Sequence, residues 1–235
     1  IPARAKQIVA ASKRAVGILS VSQALADEMI TMGIDKEKIR VIYNGVDHQK
    51  FQVQHAIANK KPNDYILYVG NLKKEKGVIE LIKGFAEISE KYPELKLLYA
   101  GPGILRSELA NQAKNLAISN KVILLGGVDH NQLPELISQA RVLALPSYNE
   151  GVPNVVLEAM ASGTPVLATN VGGIPEVFDE NICGKLIKPK SAHSVATGLT
   201  YILNREWSED KIKQHSKKFT WQSNKQQLLE LLKKN

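Results

Sequence analysis

Two glutamates eight positions apart, Glu150 and Glu158, lie in the stretch P-S-Y-N-E-G-V-P-N-V-V-L-E-A-M-A-S-G from Pro146 to Gly163. Turn formers Pro146, Ser147, Asn149 and Gly151 surround the first, while the second sits in an apolar run that reads as helix. Pro153 fits the first turn of that helix, where a missing N–H costs nothing, and Gly163 fits its C-terminal stop. At 1.5 Å per residue, Glu158 falls roughly 7.5 Å along the axis from Pro153. Between the carboxylates lie the free N–H groups of a helix N-terminus, which attract anions. The arrangement suits a ligand with a diphosphate in its middle and hydroxyl-rich groups at both ends. A lone pair of glutamates is more often a solvated loop residue and a surface helix position. Glu158, however, is flanked by V-V-L and A-M-A, and a carboxylate among apolar residues needs a hydrogen-bonding partner.

The elements that must hold this stretch follow from the pattern around it. Val142-Leu143-Ala144-Leu145, just before it, has the length and composition of a buried parallel strand. Similar apolar runs occur at 65–69, 95–100, 121–125, 165–168 and 184–187, and helical patterns fill 77–91, 104–117, 131–140, 153–162 and 191–204. The alternation predicts an α/β fold, a Rossmann-like doubly wound parallel sheet with helices on both faces. In such sheets ligands bind at the carboxyl ends of the strands, where the Gly-rich loops G-N-L-K-K-E-K-G, A-G-P-G, L-G-G-V-D-H and N-V-G-G-I-P-E are expected. A-G-P-G-I-L-R lacks the third glycine of a dinucleotide fingerprint. Before the sheet, residues 1–47 read as helix, strand, helix and strand, with Ser22 capping the second helix and Gly33 ending it. Phe51 to Asp64 reads as a linker, and 208–234 as two further helices, the last with an apolar stripe of Trp221, Leu228, Leu229, Leu231 and Leu232.

Composition narrows the class. With 44% hydrophobic and 23% charged residues, the chain has the balance of a globular protein able to bury a substantial core. No apolar stretch is long enough to cross a bilayer, and the first residues lack a signal peptide's hydrophobic region, so the expected location is the cytoplasm, at its open or membrane face. The single Cys183 excludes an internal disulfide, and five scattered His show no metal-ligand spacing. A net charge of +8 fits an anionic ligand or weak peripheral contact with acidic lipid headgroups. The lysines are not interleaved with aromatics, which make up only 6%, so nucleic acid is not an expected partner.

The stretch E-G-V-P-N-V-V-L-E-A-M-A-S-G-T-P-V resembles the Glu-x7-Glu region of retaining glycosyltransferase family 4, which has the two-domain GT-B fold. S-V-S at 20–22, V-I-Y-N-G-V-D at 41–47, Y-V-G-N-L-K-K-E-K-G at 68–77, A-G-P-G at 100–103, G-G-I-P-E at 172–176 and F-T-W at 219–221 resemble the same family in the same order. The resemblance implies four parts: 1–48 as a remnant of an N-terminal acceptor domain, 49–64 as a linker, 65–205 as a nucleotide-sugar (donor) domain, and 206–235 as helices packing back toward the first domain. On this reading the chain, which begins without Met, lacks most of its first domain, and alone it binds donor without transferring it.

The resemblance also implies roles. Glu158 would accept from ribose hydroxyls. The N–H groups of Val152, Asn154 and Val155, next to Gly151, would hold the diphosphate together with Lys76. Glu150 would orient the donor sugar as the catalytic carboxylate, Gly101 would let backbone approach the nucleotide or just make a tight turn, and backbone around Val128 would hold the base. Glu176 would buttress its loop, although a helix N-terminal position explains it equally well. Asn71 stands where the family usually has Arg, and it brings neither charge nor fork geometry to the diphosphate. The implied substrates are a nucleoside diphosphate sugar, with UDP the first guess, and a saccharide or lipid-linked glycan acceptor used in envelope polysaccharide or glycolipid synthesis. No metal or other cofactor is implied. An epimerase or phosphorylase of the same architecture, or a module that only binds nucleotide sugar, stays open.

Overall fold

The computed structural model describes residues 3–51 and 64–233. Six parallel strands form the main sheet: β3 (Tyr65–Val69), β4 (Lys96–Ala100), β5 (Val122–Gly126), β6 (Val142–Leu145), β7 (Val166–Thr169) and β8 (Gly184–Ile187). Their order across the sheet is β5-β4-β3-β6-β7-β8, so the winding reverses between β3 and β6. The fold is a Rossmann-like, doubly wound parallel sheet, and its topological switch point opens between those two strands. Every residue of β6 and β7 is buried, which is why both read as unbroken apolar runs. β5 is an edge strand, and its burial alternates along the chain.

The crossover helices are α4 (Val78–Ile88), α5 (Arg106–Asn115), α6 (Leu133–Ser138), α7 (Asn154–Ser162) and the single turn α8 (Ile174–Val177), and α9 (Ala192–Leu203) follows the last strand. α4 buries Val78, Leu81, Ile82, Phe85 and Ile88, a helical stripe that faces the sheet. It packs with α5 and α9 on one face. On the other face α7 packs against α6, the short α3 (His48–Phe51) and α10 (Glu209–Ser216). Residues 49–51, read from sequence as the start of a linker, are therefore helical, with Phe51 buried in the main core. The remaining linker residues 52–63 lie outside the described residues. Pro153 also departs from expectation by one position: its extended backbone makes it the N-cap of α7, and the first turn begins at Asn154.

A second, smaller unit precedes the sheet. β1 (Ile18–Ser20) pairs in parallel with β2 (Ile39–Val41) around α2 (Gln23–Thr31), preceded by α1 (Ala3–Ser12). It has its own small core of Ala26, Ile34 and Ile39. The chain's last helix, α11 (Trp221–Lys233), returns to this unit. Asn224 donates to the Tyr43 carbonyl at 2.9 Å, and Val46 bridges Thr220. Trp221, Leu229 and Leu232 of the apolar stripe remain exposed. Among the described residues no helix is long and apolar enough to cross a membrane.

Candidate active site

All strands of the main sheet run the same way, so the loops after β3, β4, β5, β6 and β7 gather along one edge. The loops after β3 and β6 meet at the switch point, and a glycine makes the meeting close. Gly77 has φ 67°, and a Cβ there would lie 1.9 Å from the Pro146 carbonyl oxygen. No other residue type fits both demands. Tyr148 ties the same loops together: its N–H donates to the Glu75 carbonyl and its hydroxyl to Glu80, each at 2.8 Å. Burial, with that bond second, pushes the Tyr148 hydroxyl up to about 12, so it remains a donor at neutral pH.

This closure brings Lys76 onto Glu150. The Lys76 ammonium donates to Glu150 Oε1 at 2.7 Å, with the carboxylate side chain 12% exposed and the lysine 33%. The pair stands beside the first turn of α7. The amides of Asn154 and Val155 open that helix and, like the first donors of any helix, have no intrahelical acceptor. Asn44 steadies the same turn from the small unit, donating to the Val152 carbonyl at 3.2 Å and to Asn154 Oδ1 at 2.9 Å. Val152 is buried, Val155 is half-buried against the core, and Gly151 faces Val21.

Glu158 points elsewhere. It is half-buried on α7, and among the described residues its carboxylate has no hydrogen bond; the nearby ammonium is Lys50 of α3. Burial raises its pKa to about 7, with Lys50 opposing part of the rise. Lys50 also donates to Asn131 Oδ1 at 3.0 Å, linking Glu158's surroundings to the loop that follows β5. Val128 lies in that loop, half-buried against the core. The structure thus brings Lys76 and Glu150 into direct contact and gives the two carboxylates different partners.

The remaining predicted positions fall on the same edge. Asn71 is exposed, and its carbonyl accepts from the Tyr68 hydroxyl at 2.9 Å. Gly101, with φ 149°, packs its backbone on Gly70, stacking the loops after β3 and β4. Asp47 caps the Lys50 N–H at 3.1 Å. Glu176 accepts from the N–H groups of Gln23 and Ala24 in the first turn of α2. Ser147 is buried, and among the described residues its hydroxyl has no hydrogen-bond partner. Sequence reasoning missed Lys50, Asn131 and Tyr148. Tyr148 stood inside the glutamate motif without an assigned role, and Lys50 carried no signal because its stretch read as linker. Among the described residues no group of three or more His, Cys, Asp or Glu could hold a metal ion.

A comparison with protein-family models matches residues 49–233 to the model described as Glycosyl transferases group 1. The chain belongs to this family. Residues 2–50 match a second model, Glycosyltransferase Family 4. Group 1 relatives include the uncharacterized glycosyltransferase MJ1607 of Methanocaldococcus jannaschii, 32% identical over 201 residues, which cover 81% of this chain and 51% of that protein. The putative teichuronic acid biosynthesis glycosyltransferase TuaC of Bacillus subtilis is 31% identical over 209 residues, covering 85% of this chain and 51% of that protein. The chain spans about half the length of these curated relatives. Among solved structures, Anabaena HepE in complex with UDP and glucose superposes with a TM-score of 0.88 at 24% identity, over 98% of this chain and 67% of that one. The fold is that of a GT-B glycosyltransferase.

Proposed function

We propose that this group 1 chain carries the donor site of a glycosyltransferase. A nucleoside diphosphate sugar, with UDP as the nucleotide, binds along the carboxyl edge of the main sheet. The observation that carries the reading is the Lys76–Glu150 pair at 2.7 Å beside the first turn of α7, at the switch point between β3 and β6. There Lys76 meets the diphosphate by charge, the N–H groups of Val152, Asn154 and Val155 meet it by hydrogen bond, and Pro153 cannot donate. These same donors stabilise the charge that the diphosphate gains as it leaves. Glu150, released from Lys76, accepts from hydroxyls of the donor sugar. Glu158, half-buried and without a hydrogen bond among the described residues, accepts from two ribose hydroxyls. Asn71 adds no charge, so Lys76 and the α7 dipole carry the neutralisation without a metal ion. Transfer proceeds with retention of anomeric configuration to a saccharide or lipid-linked acceptor of envelope glycan synthesis. HepE, of the same fold, was solved with UDP-glucose, which supports the choice of UDP.

Titration with UDP-, GDP- and ADP-sugars, followed by heat release and thermal unfolding, tests the donor site. A specific donor at a hundredfold its Kd raises stability by about 2.7 kcal/mol. Glu158→Ala is expected to weaken that donor by about 2 kcal/mol, roughly thirtyfold. Equal affinity in wild type and variant would remove Glu158 from the site.

A further inference from the structure

Glu176 makes three hydrogen bonds that reach across the chain to the small N-terminal unit. Oε2 accepts from the Gln23 N–H at 2.7 Å and the Tyr43 hydroxyl at 3.0 Å, and Oε1 from the Ala24 N–H at 2.7 Å. Gln23 and Ala24 are the first two residues of α2, and the N–H of the third, Leu25, goes to the Ser22 side chain at 3.1 Å. The carboxylate therefore meets two of the helix's free donors at the end where its dipole favours negative charge. Burial, then the bond to Glu176, pushes the Tyr43 hydroxyl up, which keeps it a donor.

On its other side, the segment that carries Glu176 leans on the loop of Glu150. The Gly173 N–H donates to the Gly151 carbonyl at 3.0 Å and the Glu150 carbonyl at 3.4 Å. Gly172 has φ 53°, and a Cβ there would sit 1.7 Å from the Glu150 carbonyl oxygen. A Cβ on Gly173 would sit 2.4 Å from the Ser22 Cβ, and one on Gly151 would sit 2.9 Å from Val21 Cγ2. The backbones of 20–24, 150–151 and 172–176 are thus stacked with almost no side chain between them.

We propose that Glu176 is a positioning residue for Glu150: it fixes the first turn of α2 against the Gly172–Gly173 loop and so sets the sugar-binding carboxylate in its crevice, an inference that rests on the donor reading above. Lys76 is carried by the loop after β3 and the Asn154 and Val155 N–H groups by the first turn of α7, both outside this clamp, so they feel a shift of the Glu150 loop less than Glu150 itself does. Losing Glu176 therefore separates sugar recognition from diphosphate recognition, which a general loss of structure would not do.

Two measurements on the same variants test this. In the ligand-free chain, Glu176→Gln keeps the side-chain volume but turns an amide donor toward a backbone N–H. Hydrogen–deuterium exchange is expected to speed up at Gln23 and Ala24 and also at Gly173 and Ile174, on the order of tenfold, with α4 unchanged. Tyr43→Phe, which removes only one of the three bonds, should give a smaller increase at the same amides. Faster exchange confined to Gln23 and Ala24 overturns the proposal. In titrations, the preference for UDP-glucose over UDP is expected to shrink on the order of tenfold in Glu176→Gln, with UDP affinity changing by much less. Parallel loss of both affinities, or an unchanged preference, overturns it. A wild-type chain that binds neither nucleotide sinks the donor reading instead, and the exchange pattern still decides whether Glu176 holds the Glu150 loop.

Discussion

Glu150 and Glu158 share one loop and helix, yet their surroundings differ in the respect that matters most for a buried charge. Glu150 has an ammonium in contact at 2.7 Å, whereas Glu158 is half-buried and, among the described residues, has no hydrogen bond and the more distant Lys50 as its opposing charge. A satisfied charge holds a ligand-free fold together. An unsatisfied one burdens that fold. The two ends of the candidate site therefore make opposite contributions to stability, although the proposed function gives both a part in binding. Stability given up at one end is what a site prepared for a polar ligand requires.

The strongest way to break the comparison is to remove the frame common to both ends. Gly77→Ala puts a side chain against the Pro146 carbonyl at a positive φ, and we expect a loss of about 4 kcal/mol, read as a drop in thermal midpoint. A variant as stable as wild type would show that the two loops do not depend on this contact. Next comes Glu158. Its folded pKa of about 7 lies above the ordinary 4.5 of a glutamate, so the folded state holds the proton more tightly, and stability falls as pH rises from about 4.5 through 7. Glu158→Gln removes that loss. It should be more stable than wild type at pH 8, by up to about 3 kcal/mol, with the difference fading toward pH 4. Denaturant unfolding at the two pH values checks this, and a gap independent of pH would count against it.

Glu150→Gln is expected to act in the opposite direction. It leaves Lys76 with a weaker acceptor in a partly buried place, and should lower stability by about 1–2 kcal/mol at pH 7. A stabilised Glu150→Gln would erase the contrast between the two ends. The smallest effect is expected at the exposed pair of His193 and Glu87, 3.4 Å apart. Glu87→Ala should change stability by less than about 0.5 kcal/mol, and sets the scale for a contact that neither end of the site needs.

Much of this was legible in the sequence because the relevant interactions are short-range. Unbroken apolar runs marked β3, β6 and β7, and all six strands of the main sheet lie within one or two residues of where the pattern placed them. Gly163, at φ 81°, ends α7 where its type implied, and Ser22 caps α2 through its side chain. The helix that carries Glu158, and the loop that carries Glu150, follow from turn chemistry and periodicity alone. Phe51 shows the limit: its stretch is polar and short, so its helix is decided by burial against distant elements.

What the sequence determined by itself, then, is the succession of elements, the Gly-rich loops at their ends, and the two carboxylates eight positions apart. What only the tertiary structure decided is which charge meets which. Lys76 reaches Glu150 across 74 positions, Lys50 reaches Asn131 across 81, and Glu176 reaches Ala24 across 152. The reason is physical. Helix and strand periods, caps and turns depend on residues a few positions apart, whereas these pairs depend on β3 lying next to β6 and on the small unit stacking against the Gly172–Gly173 loop. That strand order and that stacking are settled by how the whole core packs.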